Sequence, residues 1–170
     1  NGDVLYKFLK DKQKEKLIKK IGISVYSVSE AKKIINEFEF DMIQFPVNLF
    51  NQEFVSNGFI SKLKKNKIQT FARSIFLQGL LLMENTPRKL YKFKRNFLKY
   101  EKFLNKYNFT KLEATIYFIK SIEDIDYYII GFQNLNEFKQ IMEKFQNKTF
   151  NVNWKECSFS QTKLLNPSLW

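Results

Sequence analysis

Along this chain, short apolar runs bounded by turn residues alternate with segments whose apolar residues recur every three or four positions. Val4, Leu5, Phe8 and Leu9 recur at helical spacing from Asp3 to about Lys12, with Asp3 placed as the N-cap. Ile21 to Val25 (IGISV) then has the form of a buried parallel strand. Ser27 or Ser29 starts a second helix, SEAKKIINEF, with Ala31, Ile34, Ile35 and Phe38 on one stripe. Phe40 to Phe45 reads as the second strand, closed by Pro46, which has no N–H for a ladder.

Two short helical turns separated by Gly58 follow, with Phe54, Phe59, Ile60 and Leu63 inward, and then a third strand, Ile68 to Ser74, that breaks at Gly79. The pattern predicts one or two amphipathic helices after Pro87 in the charged stretch 84–108. Beyond it come a helix in LEATIYFIKSI, a fourth strand from Tyr127 to Ile130 ending at Gly131, and a helix in NLNEFKQIMEKF. That last helix is expected to turn Leu135, Phe138, Ile141, Met142 and Phe145 to the core, and the tail from Asn147 reads as irregular. Strand and helix in alternation predict a parallel α/β sheet with right-handed crossovers. No repeat or Pro/Gly-rich linker interrupts residues 1–170, so a single domain is expected.

Composition narrows the picture. With 170 residues, 44% hydrophobic and 27% charged, the chain has the content of a soluble globular domain. The apolar stretch Ile75 to Met83 is broken by Gln78 and Gly79, well short of the roughly 20 residues that span a bilayer. The opening NGDVLYKFLKDKQ lacks the order of a secretory signal, so a cytoplasmic protein without membrane association is expected. Cys157 is alone, which excludes an internal disulfide and a thiolate metal cluster within the chain. There is no histidine, so chemistry here would have to run on Lys, Tyr, Asp or Glu. The net charge of +12 invites nucleic acid as a partner, but only three of the 29 cations are arginine, leaving 29 − 3 = 26 lysines. Arginine is the residue that reads guanine edges and phosphates bidentately. Solvated lysine faces are the simpler reading, and nucleic acid is disfavoured.

In parallel α/β folds ligands gather at the carboxyl ends of strands. Ser24 lies in the first strand, Gln44 in the second, Arg73 and Ser74 end the third, and Gly131 with Gln133 and Asn134 ends the fourth. Gln44 stands out, because an amide within DMIQFP is expected to be buried and to need partners. An amide offers both donor and acceptor and so suits another primary amide, such as a nicotinamide carboxamide. Gly131 opening a helix fits an anion site, as does Gly79 after the third strand.

Taken together, IGISVYS, FDMIQFPVNLFNQ, FARSIFLQGLLLM and YYIIGFQNLNEFKQI resemble, in order, the C-terminal half of aldo-keto reductases. The resemblance implies the second half of a (β/α)8 barrel, with these strands as the fifth to eighth, and a cofactor NADP(H), NAD remaining open. It assigns Ser24 and Gln44 to the carboxamide, and Ser74, Phe76, Gln78 and Gly79 to the pyrophosphate loop. Arg73 falls where the family usually has an aromatic that stacks on the nicotinamide. Gly131, Gln133, Asn134 and Glu137 fall to the adenosine phosphate site. Departures are Val25 after Ser24, Ile75 in place of a proline, and Gln133, Asn136 and Glu137 where a cation for the 2′-phosphate is common.

The family's catalytic Asp, Tyr, Lys and His belong to the first half of the barrel, which no part of this chain matches, so no catalytic residue is assigned. The expected function is an NAD(P)(H)-dependent oxidoreductase acting on a small aldehyde, ketone or sugar carbonyl, the N-terminal half of the barrel being needed for closure. The alternatives are a noncatalytic cofactor-binding module, or a basic α/β domain whose 84–108 segment binds nucleic acid or an acidic partner.

Overall fold

The computed structural model describes residues 2–146 and 150–170. Its frame is four parallel strands, β1 (Gly22–Ser24), β2 (Met42–Pro46), β3 (Gln69–Arg73) and β4 (Tyr127–Tyr128), in the order β1-β2-β3-β4. The helices are α1 (Gly2–Lys14), α2 (Val28–Glu37), α3 (Glu53–Ser56), α4 (Phe59–Lys65), α5 (Lys94–Tyr107), α6 (Lys111–Lys120), α7 (Leu135–Gln146) and α8 (Thr162–Leu165). Parallel pairing follows from the alternation, because each return to the sheet needs a crossover long enough to hold a helix. The strands are shorter than the apolar runs that predicted them. Ile21 shows why at the start of β1: its N–H donates to the Asp41 carboxylate at 2.7 Å rather than to a strand. Pro46, expected to lie just past β2, is its last residue and is registered with Arg73.

The described residues form two compact units. The first takes those of Asn1–Pro46, Glu53–Arg73 and Asp124–Tyr128, and so contains all four strands. Ile43, Phe45, Thr70 and Ala72 are buried on one sheet face, where Phe45 stacks on Phe54 with ring centres 4.5 Å apart. Phe54, Phe59, Ile60 and Leu63 are all buried as expected, and Gly58, at φ 61°, makes the left-handed turn between α3 and α4. Ser27 caps α2 by accepting from the Glu30 N–H at 3.2 Å.

Thr70 and Asp126 lock β3 to β4. The Asp126 carboxylate accepts from the Thr70 N–H (2.9 Å) and hydroxyl (3.0 Å) and pairs with Lys64, while the Asp126 N–H donates to Thr70 Oγ1 at 2.9 Å. The expected first helix is α1, in which Val4, Leu5 and Phe8 are 74%, 60% and 54% accessible and Asp3 lies in the first turn rather than at the cap. The unit takes the neighbouring face of that helix. Tyr6 packs 4.8 Å from Phe38 and donates to the Glu39 carbonyl at 2.7 Å, and Gln13 bonds Asp41 at 2.9 Å.

The second unit takes Val47–Gln52, Ser74–Glu123 and the described residues of Ile129–Trp170. A capping box between Thr110 and Glu113 starts α6, in which every residue from Ala114 to Ile119 is buried. A 3-10 turn, Arg88–Phe93, follows Pro87 and runs directly into α5, in keeping with the expected helical character of this stretch. Phe50 is ringed by Phe97, Tyr100 and Phe159 at 5.9, 5.1 and 4.7 Å.

Of the five residues expected to face inward on α7, only Ile141 is buried. Phe145 is half-buried, and Leu135, Phe138 and Met142 are exposed. Packing against α6 covers a narrower stripe than the apolar period suggests. Asn147–Thr149 lie outside the described residues. The tail beyond them, expected to be irregular, holds 3-10 turns at Trp154–Cys157 and Pro167–Leu169 as well as α8. It is anchored by Gln52, whose Nε2 donates to the Trp154 carbonyl at 2.8 Å, and by the Phe159 N–H on the Phe50 carbonyl at 2.9 Å. Cys157 is fully buried there, and loss of hydration, with the Glu156 charge adding to it, pushes its thiol up to about 12.

Candidate functional site

In the first unit, parallel strands bring their carboxyl ends to one side, and the polar residues singled out in sequence meet there. Ser24 and Gln44 are registered partners on adjacent strands, so their side chains share a sheet face. The Ser24 hydroxyl donates to Gln44 Oε1 at 3.1 Å. Gln44 is half-buried rather than buried, because this face of the sheet is partly open. Among the described residues its Nε2 has no hydrogen-bond partner, so the amide retains two N–H donors toward the open face.

Phe71 continues the row, registered with Gln44 on one side and Tyr127 on the other, and its ring stacks on Tyr127 at 4.6 Å. Arg73 is the next residue on this face of β3. Its Nη2 donates to the Val25 carbonyl at 3.2 Å, and its guanidinium carbon stands 4.5 Å from the centre of the Tyr26 ring. Its guanidinium thus lies over an aromatic ring of this same chain.

The rest of the expected residues belong to the second unit. From Ser74 the backbone enters a loop in which Ser74, Leu77, Gln78 and Gly79 all have positive φ, at 59°, 48°, 55° and 80°. Only Gly79 adopts this region without steric cost. Ile75 and Leu77 are buried, Phe76 is half-buried and Gln78 is exposed. The Leu77 N–H donates to the Ser74 carbonyl at 2.9 Å and the Leu81 N–H to the Phe76 carbonyl at 3.3 Å. Among the described residues, the backbone N–H groups of Ile75, Phe76, Gln78 and Gly79 donate to no protein acceptor.

Asn48, buried and not singled out in sequence, braces this loop. Its Nδ2 donates to the Ser74 carbonyl at 3.1 Å, and its Oδ1 accepts from the Phe50 and Asn51 N–H groups at 3.1 and 2.9 Å. Beside Gln78 opens a cavity of about 560 Å³ lined also by Leu80, Met83, Pro87, Lys89 and Trp170.

At the start of α7 the geometry differs from the expected helix opening at Gly131. The helix begins at Leu135, four residues later, and Asn134 caps it, its Oδ1 accepting from the Glu137 N–H at 3.0 Å. The Glu137 carboxylate in turn accepts from the Gln133 N–H at 2.8 Å and from Asn134 Nδ2 at 3.2 Å. Those N–H donors are therefore already engaged by side-chain oxygens, unlike the Ile75, Phe76, Gln78 and Gly79 N–H groups. Tyr26 and Phe71 are the residues of the first unit's site that the sequence reading missed. Counting by two along β3 from Arg73 finds Phe71, whereas nothing local marks Tyr26.

A parallel sheet with helical crossovers and a polar cluster at its strand carboxyl ends defines an α/β protein related to the (β/α)8 barrels. The chain belongs to the aldo/keto reductase family, whose family model matches residues 3–157. Among solved structures, aldo-keto reductase AKR11C1 from Bacillus halodurans aligns over 99% of this chain and 58% of its own, with a TM-score of 0.72 at 12% identity. The glycerol dehydrogenase AKR11B4 from Gluconobacter oxydans aligns over 85% of this chain and 56% of its own, with a TM-score of 0.51 at 18% identity. No curated protein matches the chain. The chain thus has the fold of part of the aldo-keto reductase barrel and spans 58% and 56% of the length of these two enzymes.

Proposed function

We propose that this chain is the cofactor-binding part of an NAD(P)(H)-dependent oxidoreductase that reduces an aldehyde, a ketone or a sugar carbonyl. The observation that carries the reading is the Ser24–Gln44 pair, a hydroxyl at the end of β1 and a half-open amide in the middle of β2 held 3.1 Å apart. Together they present the donors and acceptors that a carboxamide needs. The dinucleotide, when bound, supplies the hydride. This chain's residues hold and orient it: Ser24 and Gln44 at the carboxamide, Arg73 beside the ring, and Ser74, Phe76, Gln78 and Gly79 at the pyrophosphate. The uncommitted N–H groups of that loop support the last assignment, since such donors are what an anion requires. Gly131, Gln133, Asn134 and Glu137 are assigned the adenosine end. The catalytic acid and the rest of the barrel come from its N-terminal half.

NADP(H) is the family expectation. NAD(H) is a second reading, favoured by the Glu137 carboxylate at the start of α7, which would repel a 2′-phosphate there. Equilibrium dialysis of NADPH and NADH against the full chain tests the proposal. Binding is expected, with Gln44→Ala weakening it about tenfold, the effect of losing one or two hydrogen bonds. No binding of either nucleotide at millimolar concentration would sink the reading.

A further inference from the structure

The side chain at the carboxyl end of β3 is a cation, and two contacts from the end of β1 hold it in place. Arg73 Nη2 donates to the Val25 carbonyl, and the guanidinium lies over the Tyr26 ring, itself 66% exposed. The charge is thereby fixed on the sheet face that carries the Ser24–Gln44 pair, one same-face step beyond Phe71, which is registered with Gln44. An aromatic at this place would stack on a nicotinamide in either redox state. A guanidinium distinguishes the two, because the oxidised ring is positively charged and the reduced ring is neutral. A fixed like charge beside the ring would disfavour the oxidised form only.

We propose that the Tyr26–Arg73 pair makes this site selective for the reduced dinucleotide, Tyr26 being a positioning residue that keeps the guanidinium at the end of β3. The inference rests on the cofactor reading given above and adds to it a preferred redox state. Tighter binding of the reduced form raises the reduction potential of the bound cofactor by about 30 mV for every tenfold in the ratio of dissociation constants. It also speeds loss of the oxidised form.

The test is equilibrium dialysis of NADPH and NADP+, and of NADH and NAD+, against the full chain and its variants. Arg73→Met, which keeps length and removes charge, is expected to lower the ratio of oxidised to reduced dissociation constants about tenfold, mainly by tightening the oxidised form. Arg73→Lys is expected to keep most of that ratio. Tyr26→Phe should leave it in place, and Tyr26→Ala should lower it by about threefold, as a guanidinium without its ring spends less time at the site. Both redox forms binding to Arg73→Met with an unchanged ratio would overturn this inference and leave the cofactor reading standing. No binding of any of the four nucleotides would overturn both. Should Arg73→Met fail to fold, equal ratios in Tyr26→Ala and Tyr26→Phe would overturn it instead.

Discussion

Thr70 shows how much one side chain does in this fold. It is fully buried, and its hydroxyl shares its one proton between the Asp124 carbonyl and the Asp126 carboxylate and accepts from the Asp126 N–H, all at 2.9 to 3.0 Å. Thr70→Val keeps the shape and removes all three, leaving buried groups unpaired. The expected loss is about 1–3 kcal/mol in urea unfolding. The same cluster sets the acid limit. Desolvation pushes the Asp126 carboxyl up, but the Lys64 ammonium and the hydrogen bonds from Thr70 outweigh it and hold the carboxyl below its ordinary value. A carboxyl depressed in the folded state contributes stability above its unfolded value of about 3.9 and loses it as pH falls through the folded value. Asp126→Asn should therefore be less stable than wild type at pH 7. The gap should close as unfolding is followed below about pH 4, and a gap constant down to pH 2 would contradict this origin.

Among the elements, the loop between β3 and the 3-10 turn Leu80–Leu82 concentrates strain. Gln78 is exposed, at φ 55°, and gains little from its side chain, so Gln78→Gly should stabilise the protein by up to about 1 kcal/mol. Gly79→Ala, at φ 80°, should destabilise it by about 1 kcal/mol although an added Cβ would meet nothing within 4 Å. Thermal melts of the two variants check both signs. The existence of this loop was legible, since an apolar run ended at Arg73–Ser74 and broke at Gly79. That Leu77 and Gln78 share its left-handed backbone was not, because neither residue type marks that conformation. A similar limit holds for α1 and α7. The period of Val4, Leu5 and Phe8, or of Leu135, Phe138 and Met142, locates a helix, but which of its faces is covered depends on neighbours distant in sequence. Ser24, Gln44 and Arg73 were singled out because they lie at or near the carboxyl ends of apolar runs that read as parallel strands. The Tyr26–Arg73 contact escaped because it depends on how β1 and β3 are each registered on β2, which lies between them.

For the molecule as a whole, charge and open apolar surface oppose each other. Among the described residues β1 and β4 are edge strands with one strand neighbour each, and the helix face bearing Val4, Leu5 and Phe8 is exposed. Unpaired edges and apolar faces promote self-association, whereas the net charge of +12 repels like molecules. Salt should decide between them. Light scattering of the 170-residue chain is expected to show a mass that rises with salt, as the repulsion is screened within about 10 Å at 0.1 M. Leu5→Glu combined with Phe8→Glu should reduce that rise. A sharp monomer peak at all salt concentrations, with cooperative unfolding, would contradict it. A different use follows from the lone thiol of Cys157, sealed in the second unit and held mostly protonated. A disulfide reagent can reach it only when that unit opens, and no second thiol competes for the signal. The rate of its modification at mild pH is therefore a clock for opening of the tail around Trp154–Cys157, read without any engineered probe. A dinucleotide bound as proposed at the Ser74–Gly79 loop, which lies in the same unit, is expected to slow that clock in proportion to how much it stabilises the unit.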